Sequence, residues 1–147
     1  IIDYLDARFP EPRLVPDDPA AAAAVRAMAL TVACDIHPLN NLRVLRYLKT
    51  ELGQPQEAVD TWYRHWIAEG LAALEAAAAP ALADLGDEEL AALPPNLADI
   101  CIVPQFYNAR RFDTDLTPYP TLVRADAILQ RHPAFAAAHP DRQEKAA

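Results

Sequence analysis

The hydrophobic pattern of the chain has a helical period along most of its length. In the segment NNLRVLRYLK, leucine recurs at every third residue from Leu42 to Leu48, while basic residues occupy the other side. Alternation of β-branched residues is nowhere sustained, and the whole sequence contains only three glycines. The pattern therefore predicts an all-α fold.

Capping and breaking residues predict the limits of the longest helices. Asp17 or Asp18 can cap a helix that opens at Pro19. This helix is expected to kink at Pro38 and to continue to about Leu52. A second long helix is predicted from Gln56 to Ala79, and Pro80 is expected to end it. Its apolar face consists of Trp62, Trp66, Ile67, Leu71 and Leu74.

The C-terminal half contains a well-specified helix start. In NLADICIVPQFYNARRF, Asn96 is a natural N-cap and Asp99 supplies a carboxylate at the third helical position. The acidic segment before it predicts one short helix from Asp87 to Leu93. Two further helices are predicted from TLVRADAILQRH and PAFAAAH, and the tail DRQEKAA is expected to fray.

Polar side chains interrupt the apolar face of the first long helix. His37, Asn41 and Leu45 follow one another at i, i+4 spacing, so an imidazole and a carboxamide share the edge of that face. A histidine before a helical proline is commonly hydrogen-bonded to nearby carbonyls, and a surface amide needs no ligand. The residues alone leave both a structural role and a binding role open.

Length and composition predict one soluble intracellular domain. The chain has 147 residues, 52% of them hydrophobic, and shows no apolar run of membrane-spanning length and no signal peptide. The net charge of −8 argues against binding to nucleic acid or to an anionic membrane. Cys34 and Cys101 lie in apolar helical patterns and are expected to be buried thiols. No spacing of histidine and cysteine indicates a metal site.

Three stretches carry a resemblance to a known family: IIDYLDARFPEPRLVPDDP, CDIHPLNNLRVLRYLKTELG and NLADICIVPQFYNARRFDTDLTPYPTL. Together with the closing HPAFAAAHPDRQ, they resemble the C-terminal helical domain of the zeta-class glutathione transferases, a class that includes maleylacetoacetate and maleylpyruvate isomerases. The resemblance covers most of the chain. It departs from the family in the acidic segment PALADLGDEELAALPP and in Asn96, which replaces a threonine cap.

The resemblance implies a second domain that this sequence lacks. Members of the class carry an N-terminal thioredoxin-like domain that holds glutathione and contains a Ser-Ser-Cys-x-x-Arg motif. Residues 1–9 would then be the tail of that domain's last helix, and residues 10–147 would be the C-terminal all-helical domain. The resemblance also implies that four residues line the glutathione cleft at the domain boundary: His37, Asn41, Leu42 and Arg43.

The resemblance further implies a glutathione-dependent cis–trans isomerase of aromatic catabolism, expected to be a cytoplasmic homodimer. Arg111 in NARRF matches the arginine that binds a carboxylate of the small dicarboxylic ketoacid substrate, a task that suits a guanidinium. From the residues alone, Arg111 and Arg43 would be ordinary solvated charges. No catalytic residue is predicted in this segment, which is expected to be inactive alone.

Two alternatives to isomerisation stay open from the sequence. One is a non-catalytic helical module that keeps the fold as a dimerisation or docking surface. The other is a different zeta-class activity, the conjugation or dehalogenation of α-haloacids, which uses the same thiolate and carboxylate clamp. The sequence does not choose between maleylacetoacetate and maleylpyruvate as substrate.

Overall fold

A computed structural model describes residues 1–143 of the chain. These residues form helices joined by loops, with no strand among them, which confirms the all-α prediction. A π-helical turn, Thr31–Ile36, follows α2, and a 3₁₀ turn, Pro140–Arg142, follows α9. The α-helices are α1 (Ile2–Arg8), α2 (Pro19–Leu30), α3 (His37–Leu39), α4 (Leu42–Thr50), α5 (Gln56–Leu82), α6 (Asp87–Ala92), α7 (Leu97–Arg111), α8 (Pro120–Leu129) and α9 (Pro133–Ala138).

Side-chain caps fix the start of α2 and of α7, as the sequence predicts. The Asp18 carboxylate accepts a hydrogen bond from Ala21 N at 2.8 Å. The Asn96 side chain accepts from Ala98 N at 2.8 Å, and the Asp99 carboxylate accepts from Asn96 N at 2.8 Å. Burial raises the pKa of Asp99, and the hydrogen bond from Asn96 opposes that shift. The short helix α6 also lies where it is predicted.

The first long helical run is divided into segments, which the sequence predicts only in part. A π-helical turn precedes Pro38, whose ring has no N–H and crowds the carbonyl one turn earlier. The break itself comes later, at Asn40 and Asn41. Asn41 has extended backbone, with ψ at 144°, and its side chain caps α4 by accepting from Arg43 N at 3.1 Å. The predicted i, i+4 alignment of His37 with Asn41 is therefore wrong.

The main core is one cluster of buried side chains from α5, α7, α8 and the π-helical turn. The predicted apolar stripe is confirmed in its aliphatic part, because Ile67 and Leu71 have no exposed surface. Pro80 does not end α5, contrary to the prediction, because a helical proline gives up only its own N–H bond, and Ala83 N still donates to Ala79 O at 3.0 Å beyond it. The largest fully buried side chains are Phe106, Ile36, Ile67, Leu71, Leu74 and Asp126.

Gly70 allows the π-helical turn to approach α5 closely. A Cβ built on Gly70 would lie 2.2 Å from Cγ1 of Ile36 and 2.3 Å from its Cδ1. Both distances are far below van der Waals contact, so only glycine fits this position in the present packing.

The cysteine prediction is wrong for Cys34. Both cysteines are free, but Cys34 is exposed and Cys101 is only half-buried. Val32 and Ile36 take the inward positions of the π-helical turn, and Cys34 lies midway between them on the outer side.

The first helix leaves apolar residues in solvent. Ile1 is fully exposed, and Tyr4 and Phe9 are 69% and 65% exposed. Its one buried side chain is polar: Asp6 accepts from Leu14 N at 2.6 Å and thereby ties α1 to the following loop. Ile2 packs against the small core cluster around Val15 and Leu97, so only part of the apolar surface at this end of the chain is covered within residues 1–143.

By length and composition, the helical run Pro19–Thr50 is apolar enough to cross a membrane, contrary to the expectation from the sequence. In its most apolar window, 22% of the residues are buried. A helix that packs on the core of a globular domain passes the same test. The inner face of this run contacts α7 and α5, where Ala29 and Ile36 are buried.

Candidate functional site

A cavity of about 790 Å³ lies between the C-terminal half of α7 and the chain that follows α8. The last turns of α7 form one wall, and α9 with the 3₁₀ turn forms the other. We call it the Arg111 cavity. Its polar lining residues are Tyr107, Asn108, Arg110, Arg111, Gln130, His139 and Asp141.

Arg111 supplies a positive charge to this cavity. It is exposed and ends α7, and its Cζ lies 5.9 Å from the centroid of the Tyr107 ring. None of the ion pairs among residues 1–143 involves Arg111. The guanidinium is therefore available to an anion that enters the cavity.

Arg110, the preceding residue, is in contrast tied to a buried carboxylate. Its Nη2 donates to Oδ2 of Asp126 at 2.5 Å, and Gln130 Nε2 donates to the same oxygen at 2.8 Å. The Asp126 side chain has no exposed surface. Burial raises the pKa of Asp126, while the hydrogen bond and the charge of Arg110 act in the opposite direction.

Tyr107 joins α7 to the far wall of the cavity. Its hydroxyl donates to Oδ1 of Asp141 at 3.1 Å, and this hydrogen bond raises the pKa of Tyr107. The imidazole of His139 meets the Tyr107 ring edge to face, with centroids 5.6 Å apart. The Tyr107 ring thus lies between Arg111 of α7 and His139 of the opposite wall.

The four residues expected to face glutathione lie elsewhere, around the break between α3 and α4. His37 and Arg43 are exposed, and Leu42 is 78% exposed. The side-chain oxygen Oδ1 of Asn41 is engaged in capping α4, which leaves the side-chain nitrogen Nδ2 as a donor. None of the four lines the Arg111 cavity.

Tyr63 on α5 contacts the α3–α4 break and the residue that follows Arg111. Its backbone carbonyl accepts from Nδ2 of the buried Asn40 at 3.2 Å. Its ring stacks on Phe112, the residue after Arg111, with centroids 3.6 Å apart. Burial raises the pKa of Tyr63, and the charge of Arg111 opposes the shift. Tyr63 therefore holds the break through its backbone carbonyl and the residue after Arg111 through its ring.

Four residues of the site are not predicted from the sequence: Arg110, Asp126, Tyr107 and Asp141. A signal for one of them was present, because Asp126 follows Leu122 at i+4 on the apolar face of its helix. A carboxylate on a buried face requires a cationic or hydrogen-bonding partner. The identity of that partner could not be read from the sequence, since Arg110 is on a different helix.

Relatives of known name resemble the chain over nearly its whole length. No family model matches it. It is 47% identical over 146 residues to a probable maleylacetoacetate isomerase of Vibrio cholerae serotype O1, covering 99% of the chain and 66% of that protein. It is 40% identical over 151 residues to a maleylpyruvate isomerase of a Ralstonia species, covering 100% and 68%. The chain thus spans about two thirds of the length of these relatives.

Solved structures agree with the sequence comparison. Maleylpyruvate isomerase from Pseudomonas aeruginosa PAO1 matches with a TM-score of 0.89 and 46% identity, over 98% of this chain and 74% of that one. A maleylpyruvate isomerase described as a zeta-class bacterial glutathione S-transferase also has a TM-score of 0.89, with 39% identity. That match covers 99% of this chain and 68% of the other. A maleylacetoacetate isomerase from Anaeromyxobacter dehalogenans, with glutathione in its active site, matches with a TM-score of 0.85 and 43% identity. That match covers 99% of this chain and 64% of the other. The chain therefore belongs to the maleylacetoacetate and maleylpyruvate isomerase family, the zeta class of glutathione transferases.

Proposed function

We propose that the chain is the substrate-side helical domain of a glutathione-dependent cis–trans isomerase that acts on maleylacetoacetate or maleylpyruvate. The observation that carries this proposal is Arg111: in a chain of this family, it is a guanidinium that lines a cavity of about 790 Å³ and forms no ion pair with any of residues 1–143. In the proposal, residues 1–9 end a thioredoxin-like domain and residues 10–147 form the substrate-side domain.

The residues around the α3–α4 break suit one side of a glutathione site. Glutathione carries two carboxylates and two amides, which need donors, and the Asn41 amide and the Arg43 guanidinium are donors. Leu42 presents an apolar surface beside them that is 78% exposed. We propose that His37, Asn41, Leu42 and Arg43 face glutathione, and that the opposite wall of that site comes from residues outside this chain.

Bound glutathione would supply the thiolate for reversible addition to the cis double bond. The contribution of this chain is electrostatic. Arg111 binds a substrate carboxylate through two parallel N–H···O bonds and stabilises the enolate-like negative charge that develops during isomerisation. The apolar part of the cavity, which includes Val103 and Phe135, excludes water around that charge and strengthens the interaction.

The test uses the full-length protein made from the intact gene, whose mass also shows whether a thioredoxin-like half precedes Ile1. We expect glutathione-dependent isomerisation of at least one of the two substrates, and a loss of about 100-fold or more in kcat/KM for Arg111→Ala. Arg131→Ala is the matched control, because Arg131 is an exposed arginine at a helix end outside the Arg111 cavity. Activity equal to wild type in Arg111→Ala would remove the role of Arg111.

Product analysis separates isomerisation from the alternatives. A protein that dehalogenates an α-haloacid but does not isomerise either ketoacid would be a zeta-class transferase of a different activity. A full-length protein of the same mass as this chain, without glutathione affinity, would be a non-catalytic module. A homodimeric state and a cytoplasmic location stay predictions.

A further inference from the structure

We propose that Arg110, held in place by the buried Asp126, is a second carboxylate-binding residue of the Arg111 cavity and makes the cavity selective for dianions. The proposal rests on the proposed function for the identity of the substrate, a dicarboxylic ketoacid. Its geometric basis is independent of that function, because Arg110 and Arg111 line one cavity.

The contacts of Arg110 fix one edge of its guanidinium and leave the rest accessible. The Nη2 nitrogen is engaged by Asp126, and Cζ lies 5.5 Å from the centroid of the buried Phe106 ring. The side chain is nonetheless 42% exposed. No other hydrogen bond of the Arg110 side chain is found among residues 1–143. Its remaining N–H donors thus form a planar group that is oriented before a ligand arrives.

The burial of Asp126 indicates more than an ordinary surface ion pair. A carboxylate without exposed surface is costly, and an apolar residue of similar volume would often be as stable. Asp126 binds both Arg110 and Gln130, and both of these side chains line the cavity. Asp126 is accordingly a positioning residue: it does not line the cavity, and it orients two side chains that do.

The two arginines divide the recognition of a dianion between them. The charge of Arg110 is balanced by Asp126, so Arg110 contributes directional hydrogen bonds, whereas Arg111 contributes a net positive charge. A ligand with two carboxylates can use both groups, and a ligand with one carboxylate needs only Arg111. The preference for dianions should therefore depend on Arg110, and the affinity for any carboxylate on Arg111.

The test measures the binding of succinate and of succinamate, its monoamide, to the full-length protein by calorimetry. The two probes have nearly the same shape and differ by one negative charge. We expect Arg110→Gln to weaken succinate binding by about tenfold and to change succinamate binding by less than about twofold. Arg111→Gln should weaken the binding of both probes, and the control Arg131→Gln should change neither.

A double variant keeps the test decisive if Arg110→Gln leaves Asp126 unpaired and unfolds the protein. Arg110→Gln with Asp126→Asn replaces the ion pair by a neutral amide pair and should lose the same preference for succinate. Asp126→Asn alone tests the positioning role, because it should lower that preference while the variant stays folded at the pH of the binding measurement. The inference would be overturned if the double variant kept its preference for succinate, or if Arg110→Gln weakened the binding of succinate and of succinamate equally.

Failure of the inference and failure of the proposed function give different results. A wild-type protein that isomerises neither ketoacid, yet loses its preference for succinate in Arg110→Gln, would refute the proposed function and support the second carboxylate site. An active isomerase whose Arg110→Gln variant keeps the preference for succinate would support the proposed function and refute the second carboxylate site.

Discussion

The hydroxyl of Tyr107 donates to the carboxylate of Asp141 at 3.1 Å and so connects α7 to the last described turn of the chain across the mouth of the Arg111 cavity. The two residues are 34 positions apart. This hydrogen bond closes one side of the cavity with the segment Pro140–Arg142, which has no buried side chain of its own. The shape of the cavity therefore depends on a side-chain contact at the surface.

Tyr107→Phe should loosen this wall of the cavity. The substitution keeps the ring against His139 and removes only the hydroxyl, so we expect faster backbone hydrogen exchange from His139 to Arg142 and little change elsewhere. Tyr47→Phe is the control, because Tyr47 is an exposed tyrosine on α4. Unchanged exchange in the segment would show that the hydrogen bond does not hold it.

The same contact has a predictable dependence on pH. The hydrogen bond to Asp141 raises the pKa of Tyr107 above its ordinary value of 10.0, so the contact is fully present below pH 10.0 and is lost as the pH rises through the higher folded-state value. Exchange in the segment, corrected for its intrinsic dependence on pH, should stay constant at neutral pH and increase above this range. In Tyr107→Phe that increase should be absent.

The parts of the structure that the sequence predicts well are those with local causes. Asp18 and Asn96 are recognisable as caps because each side chain bonds a backbone N–H within three residues. The extension of α5 past Pro80 and the break at Asn40 are not local, since they depend on how the neighbouring segments pack. Asn40, for example, is buried and donates to the carbonyl of Tyr63, 23 residues away.

The candidate site also has a part that the sequence predicts and a part that it does not. Arg111 could be selected from a resemblance to a family, but its surroundings could not, because they combine distant parts of the chain. Asp126 meets Arg110 across 16 residues, and Asp141 meets Tyr107 across 34. Pairings at such separations are determined by the packing of α7 on α8 and of the final turns on α7, which a helical period does not specify.

Asp126→Asn should change the pH dependence of stability in a direction that follows from burial. Burial raises the pKa of Asp126 above its ordinary value of 3.8, so its stabilising contribution is fully present below about pH 3.8 and declines as the pH rises through the folded-state value. The stability of wild type relative to Asp126→Asn should therefore be greatest in acid and smaller at pH 7. Urea unfolding of both proteins at about pH 4 and pH 7 measures this difference. A relative stability of wild type that increases with pH would show that Arg110 outweighs burial.

Gly70→Ala should destabilise the fold by about 1–3 kcal/mol, because the new methyl group would overlap the Ile36 side chain unless α5 or the π-helical turn moves. Thermal and urea unfolding measure the loss. Ile36→Ala removes the two carbon atoms that a Cβ at Gly70 would meet, so the double variant should lose less than the sum of the single variants. Additive losses would show that the two sites relax independently.

Asn96→Ala should cost about 0.5–2 kcal/mol, since it removes the side-chain acceptor that caps the backbone N–H groups of Ala98 and Asp99 at the start of α7. Asn96→Thr is the matched control, because a threonine hydroxyl can accept the same bonds, and its loss should be smaller. The capped helix also carries the site, because α7 begins at this cap and ends at Arg111. Fraying of its first turn should leave the last turn in place, so the alanine variant should lose stability at nearly unchanged affinity for succinate. A parallel loss of succinate affinity would mean that the cap determines where the arginines lie.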